Sequence, residues 1–341
     1  MESINPQFHS PKRKQPIALS TYVEGILAGN RVVLSQAITL VESTRADHQD
    51  LAQQIIEACL PYAGNSIRIG ITGSPGVGKS TFIEAFGMQI TEGGGKVAVL
   101  AIDPSSQVTK GSILGDKTRM MHLSMKGNAF IRPSPAGDSL GGVARKTRES
   151  IVLCEAAGFD TLIIETVGVG QSETAVHSMT DFFLLLLLPG AGDELQGIKR
   201  GIVEMADLIA VNKADGEREK MAKQAQAFYK NALHLLPLKP SLWTPQVVTC
   251  SALSKLNIEE IWHLILDYQR FTKGNNFFIE NRKAQAAYWL HESLEDALKK
   301  RFYQDPSVKN HLKEIEKQVL EGTITSFKGA EIVLKQWTMD S

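Results

Sequence analysis

The sequence predicts an α/β chain built on a mainly parallel, doubly wound sheet, with helical additions before and after it. Three observations lead to that class. Short apolar runs closed by glycine, aspartate or proline recur between residues 66 and 250. Stretches of helical spacing separate most of them, and the segments on either side are helical in pattern.

Taken in order, residues 1–17 are polar and punctuated by Pro6, Pro11 and Pro16, the composition of a flexible arm. From Thr21 to Tyr62 the apolar residues recur at intervals of three and four (Val23, Ile26, Leu27; Val33, Leu34, Ile38; Leu51, Ile55, Ile56), which predicts two or three packed helices. After Gly64 the strand candidates are Ser66–Thr72, Lys96–Ile102, Thr161–Glu165, Asp181–Leu188, Leu208–Val211 and Gln246–Cys250. Their continuous apolar character implies burial on both faces, the mark of a parallel sheet covered by helices. The strongest run, Phe182 to Leu188, is too short to span a bilayer and reads as a buried strand. From Ile258 onward the pattern is helical and charged, with Trp262, Leu264, Ile265 and Tyr268, then Trp289, Leu290 and Leu294, on apolar stripes. The expected organisation is an arm (1–17), an N-terminal helical segment (18–64), an α/β domain carrying the sheet (65–257) and a C-terminal helical extension (258–341).

Composition narrows the function. Lys plus Arg and Asp plus Glu both total 37, so the formal charge is zero, which argues against a nucleic-acid or anionic-membrane protein. Cys59, Cys154 and Cys250 stand about 95 residues apart, leaving neither a Cys-x-x-Cys site nor a disulfide framework. Buried reduced thiols in a cytoplasmic protein fit best. The N-terminal region has no apolar core of a signal peptide and no convincing mitochondrial presequence.

Chemistry concentrates in a few loops. Gly73-Ser74-Pro75-Gly76-Val77-Gly78-Lys79-Ser80, followed by Thr81, is a G-x-x-x-x-G-K-S loop between a strand and a helix. Its glycines let successive backbone N–H groups converge on a phosphate chain at a helix N-terminus. Lys79 would reach the β- and γ-phosphates and Ser80 would ligate magnesium. Asn212-Lys213-Ala214-Asp215 ends a later strand. An aspartate there can accept two hydrogen bonds from guanine that adenine cannot offer. Asn212 would brace the loops, Lys213 would stack on the base, and Ser251-Ala252-Leu253 would contact the guanine carbonyl. Glu165-Thr166-Val167-Gly168 closes a third strand, with Glu165 toward the metal and Gly168 toward the γ-phosphate. Val169 stands where a water-orienting glutamine is often found, which predicts slow intrinsic hydrolysis. Asp103, in Asp103-Pro104-Ser105-Ser106, is placed to bind magnesium or its water, and residues 111–120, with Asp116, Lys117 and Arg119, read as a switch.

Together these stretches resemble the MeaB/ArgK type of P-loop GTPase, a branch of the SIMIBI class. The resemblance rests on residues 70–82, 103–120 (DPSSQVTKGSILGDKTRM), 165–173 (ETVGVGQSE), 190–201 (GAGDELQGIKRG) and 212–215, and covers about residues 20–330. It implies that Lys79, Asp103, Asp116 and Glu165 form the catalytic group and that Ser80, Asp103 and Glu165 surround the metal. Asp193, Gln196 and Lys199 would belong to a third switch coupled to a client. It further implies a homodimer formed through the C-terminal arm. The client would be an adenosylcobalamin-dependent acyl-CoA mutase, most often methylmalonyl-CoA mutase, with cobalamin carried by the mutase and no pocket for it legible in this chain. Two other readings stand beside it: a kinase linked to arginine/ornithine transport, and a GTP-dependent metallochaperone, which the absence of Cys and His clusters disfavours.

Overall fold

The computed structural model describes residues 17–102, 120–133, 140–166, 172–190 and 200–339. Three helices open it: α1 (Leu19–Leu27), α2 (Arg31–Glu42) and α3 (Ala46–Cys59). The Asn30 side chain accepts from the Val32 and Val33 amides and so starts α2. Seven strands follow: β1 (Ile67–Gly73), β2 (Val97–Ile102), β3 (Ala129–Arg132), β4 (Thr161–Thr166), β5 (Phe182–Leu187), β6 (Leu208–Val211) and β7 (Gln246–Thr249). They form one sheet in the order β3-β2-β4-β1-β5-β6-β7, and every pairing is parallel. The intervening helices are α4 (Lys79–Glu92), α5 (Met121–Met125), α6 (Leu140–Ala156), α7 (Ser172–His177), α8 (Arg200–Met205) and α9 (Glu219–Leu233).

Side-chain alternation splits the sheet between two cores. Ile67, Ile69 and Ile71 of β1, with Phe182, Leu184 and Leu186 of β5, meet Phe82, Ile83 and Phe86 of α4 on one face. Leu185, Leu187, Ile209 and Val211 meet Ala222 and Tyr229 of α9 on the other. Phe82 and Phe86 are fully buried and stack at 5.5 Å between centroids. Each such ring contributes up to ~3 kcal/mol by leaving water.

The edge strand β3 is absent from the sequence expectation. It is four residues long and ends in an arginine, too short and too polar at its end to show a strand period. Long-range contacts secure it instead. The Arg31 guanidinium donates to the Lys126 and Ala129 carbonyls at 2.8 and 2.9 Å, and Arg132 pairs with Glu42. The three opening helices thus pack on α6 and clip the sheet edge.

The first compact unit runs to Ile279, so α10 (Ile258–Gly274) lies within it, placing Ile258, Ile261, Ile265 and Tyr268 in the same core as α4. The second unit, Glu280–Ser341, holds most of α11 (Phe277–Gln304), then α12 (Pro306–Leu320) and α13 (Ser326–Met339). Val308, Ile315 and Val333 form its small core. Among the described residues no helix is long and apolar enough to cross a membrane.

Candidate functional site

Strand order sets the site. β1 lies between β4 and β5, and the chain leaves β4 to return on the far side of β1, so the sheet splits its connections beside the C-terminal end of β1. Ligands of open parallel sheets bind at that point. The loop Ser74–Gly78 leaves β1 there and enters α4.

Gly78 carries the turn into α4 with φ of +93°, and a Cβ on it would stand 3.0 Å from the Asn212 amide nitrogen. A side chain there would be strained by the backbone conformation and would crowd the Asn212 amide of the neighbouring loop. Val77 is fully buried beneath the turn. The Lys79 ammonium folds back over its own loop and donates to the Gly73 carbonyl at 2.6 Å and the Ser74 carbonyl at 3.3 Å. Burial depresses its pKa, while Glu165 first and Glu173 second oppose that shift. The Ser80 hydroxyl lies 3.5 Å from a Glu165 carboxylate oxygen. Beneath them the Thr166 hydroxyl donates to Thr72 at 2.9 Å, tying the ends of β4 and β1 together.

The second half of the site comes from the ends of β6 and β7. Asn212 is buried and joins three segments: its amide donates to the Val77 carbonyl at 2.9 Å, its carbonyl accepts from the Ala252 N–H at 3.0 Å, and its own N–H donates to Leu187 of β5 at 2.8 Å. Lys213 adopts a positive φ of 59° and reaches across to donate to the Gly76 carbonyl at 2.7 Å. The Ala214 N–H donates to the Cys250 carbonyl at 2.9 Å. The Asp215 carboxylate accepts from the Ser251 hydroxyl, which in turn accepts the Ser254 N–H at 3.2 Å. Loops more than 130 residues apart in sequence are thus one hydrogen-bonded body.

Of the residues singled out from sequence, Gly73–Thr81, Glu165, Asn212, Lys213, Asp215 and Ser251–Leu253 are gathered at this end of the sheet. Asp103, Asp116, Gly168, Asp193, Gln196 and Lys199 lie outside the described residues. Two polar side chains are given no individual role by the sequence motifs. Glu173, in the first turn of α7, is 2% exposed and acts electrostatically on Lys79. Its sequence signal is no more than a carboxylate eight residues beyond Glu165. Lys239 donates to the Met205 and Ala206 carbonyls and to Asp207, all at 2.7 Å, fixing the entry to β6. Nothing in the local pattern around Lys239 announces that link.

An all-parallel sheet carrying a Walker A loop at its switch point, laced to an Asn-Lys-x-Asp loop, defines a P-loop GTPase. Comparison with known proteins sharpens this. Residues 34–307 match the family described as methylmalonyl Co-A mutase-associated GTPase MeaB, and the chain belongs to that family. It is 50% identical over 278 residues to the GTPase ArgK of Escherichia coli, covering 82% of this chain and 84% of that protein. It is 44% identical over 321 residues to the mouse mitochondrial methylmalonic aciduria type A homolog, covering 91% and 77%. A crystal structure of a LAO/AO transport system kinase superposes with a TM-score of 0.76 at 38% identity, covering 95% of this chain and all of that one.

Proposed function

We propose that this GTPase is a nucleotide-driven chaperone of an adenosylcobalamin-dependent acyl-CoA mutase, methylmalonyl-CoA mutase being the favoured client. The observation that carries the nucleotide part is the hydrogen-bonded union of the Gly73–Ser80 loop with Asn212, Lys213 and Asp215. Family membership and the name of the mouse relative support the client. The chaperone would protect the mutase, gate loading of its cofactor and help to reactivate it, with Asp193, Gln196 and Lys199 carrying the nucleotide state to it.

In this reading the backbone of Gly73–Gly78 cradles the phosphates, and Lys79 leaves the Gly73 and Ser74 carbonyls to pair with the β- and γ-phosphates. Asp215, oriented by Ser251, accepts the guanine N–H groups. A hydroxyl and a carboxylate are hard oxygen donors, so Ser80 and Glu165 suit magnesium, with Asp103 and Asp116 assigned beside them. Bound there, magnesium would neutralise charge on the phosphate oxygens. Val169 supplies no amide to orient water, so turnover of the isolated protein is slow.

The protein would act as a homodimer. Leu290, Leu294 and Leu298 repeat every four residues along α11 and are 60%, 51% and 56% exposed, an apolar stripe of the kind that pairs helices. Glutamate at Leu294 should then yield monomers in sedimentation.

Gel filtration of the protein mixed with methylmalonyl-CoA mutase, under GDP and under a non-hydrolysable GTP analogue, tests the client. A complex whose stability differs between the two nucleotides supports the reading, and the absence of any complex under either overturns it. The kinase alternative shares its transport-system wording with the name of the superposed protein, and the Asn212–Asp215 loop favours the GTPase reading over it.

A further inference from the structure

The loop between α9 and β7 shows water more apolar surface than a solvated connection needs. Leu235, Leu238 and Leu242 are 87%, 79% and 61% exposed. Phe271 of α10, 43% exposed, extends the same surface, because its ring lies 5.8 Å from that of Trp243, the residue after Leu242. Single exposed leucines are ordinary, whereas several large apolar side chains gathered at one place mark a contact surface.

Long-range bonds pin this loop in place. Leu242 sits at a φ of +59°, a left-handed conformation unfavourable to a branched side chain. Its N–H donates to the Lys239 carbonyl at 2.9 Å, the Asn275 amide donates to the Ser241 carbonyl at 3.0 Å, and the Trp243 indole N–H donates to the Asp207 carbonyl at 3.2 Å. Those bonds hold a strained backbone so that it presents leucine to water, an arrangement that core packing alone does not require. Because β6 and β7 are parallel, α9 carries the chain back to the N-terminal end of the sheet before β7 begins. The loop therefore lies at the end of the sheet opposite the Gly73–Ser80 loop.

Charge selects the occupant. Between Lys220 and Asn257 the chain carries five lysines and no aspartate or glutamate. Lys230 and Lys273 stand in the last turns of α9 and α10, the two helices that end beside the loop. Both are exposed, and neither pairs with a carboxylate among the described residues. The neighbouring carboxylates Asp207 and Asp267 are already paired, with Lys239 and Arg270. Leucines rimmed by uncompensated lysines complement an apolar patch rimmed by carboxylates. Two such lysines are too few to hold the chain on an anionic bilayer, so a protein surface is the fitting partner.

We propose that Leu235, Leu238, Leu242 and Phe271, flanked by Lys230 and Lys273, form a docking surface for an acidic-rimmed apolar patch of the client mutase, engaged in either nucleotide state. The inference rests on the client reading above. It places a constant tether at one end of the sheet and the nucleotide site at the other.

The test is biolayer interferometry of the full chain against methylmalonyl-CoA mutase, under GDP and under a non-hydrolysable GTP analogue. The proteins are the wild type, Leu238→Asp and Lys230→Glu/Lys273→Glu, each checked by thermal melting and by its GTP turnover in isolation, which should match the wild type. Leu238→Asp should weaken binding roughly tenfold or more, by the same factor under both nucleotides. Lys230→Glu/Lys273→Glu should slow association and flatten its dependence on salt, and it carries the test alone should Leu238→Asp fail to fold. Folded variants that bind like the wild type, or a loss confined to one nucleotide, overturn the inference and leave the client reading intact. A wild type that binds no mutase under either nucleotide overturns the client reading and the inference with it. Wild-type sedimentation with phosphatidylserine vesicles that is lost in Leu238→Asp would assign the surface to lipid and overturn the inference as well.

Discussion

The two ends of the candidate site are held together by different forces. At the base-reading end, Asn212, Lys213, Ala214, Asp215 and Ser251 interlock through hydrogen bonds, most of them to backbone atoms, and Asn212 alone ties the Gly73–Ser80 loop, β5 and the Ser251–Leu253 turn. At the phosphate end, the charged groups Glu165 and Glu173 act on a lysine that bonds its own loop. The first end is pre-set and would receive a base with little change. The second is poised on charge, so a highly charged ligand must redistribute its contacts. In the proposed reading, selectivity for the base and response to the phosphate count therefore belong to different halves of one site.

Breaking the charged end should have the largest effect. Lys79→Met should lower GTP turnover by about 10²–10³-fold, measured as kcat in a phosphate-release assay, because a preorganised cation facing developing charge is lost. Turnover near the wild-type value would remove Lys79 from the phosphate site. Next is the base-reading end. Asp215→Asn should reduce the preference for GTP over ATP by roughly 10²-fold in competition binding, since the amide cannot accept both guanine N–H groups. Unchanged selectivity would detach the Asn212–Asp215 loop from the base.

Asn212→Ala probes the join between the halves. It strips buried partners from the Val77 carbonyl and the Ala252 N–H, and should cost about 1–3 kcal/mol of stability, read as a lowered Tm. Affinity for GDP and GTP should fall together. The smallest effect concerns Cys250, buried behind Asn212, whose thiol is pushed up to about 12 by burial, and Cys59 and Cys154, whose thiols burial also raises. At pH 8 all three should stay protonated and resist a thiol reagent in the native protein, then react on denaturation.

The same contrast explains what can be read from the sequence. The Gly73–Ser80 loop and Asn212–Asp215 are legible because their chemistry demands fixed spacing within a few residues. The central strands are legible because burial on both faces leaves an unbroken apolar run, as in β5. What escapes depends on contacts between distant segments. β3 is secured by Arg31 and by the Arg132–Glu42 pair, and Lys213 reaches Gly76 across 137 positions. α11 shows the limit of reading stripes by eye. Trp289 is buried at 7% exposure while the adjacent Leu290 is 60% exposed, so the apolar residues there serve two faces rather than one.

In the proposed function the protein is a slow GTPase whose turnover answers to a client. The most direct test is GTP hydrolysis by the purified protein, alone and with purified methylmalonyl-CoA mutase. Turnover should be slow alone and rise sharply with the mutase, and Lys79→Met should lower it by about 10²–10³-fold in both cases. Fast turnover alone, or a rate indifferent to the mutase, would contradict the claim.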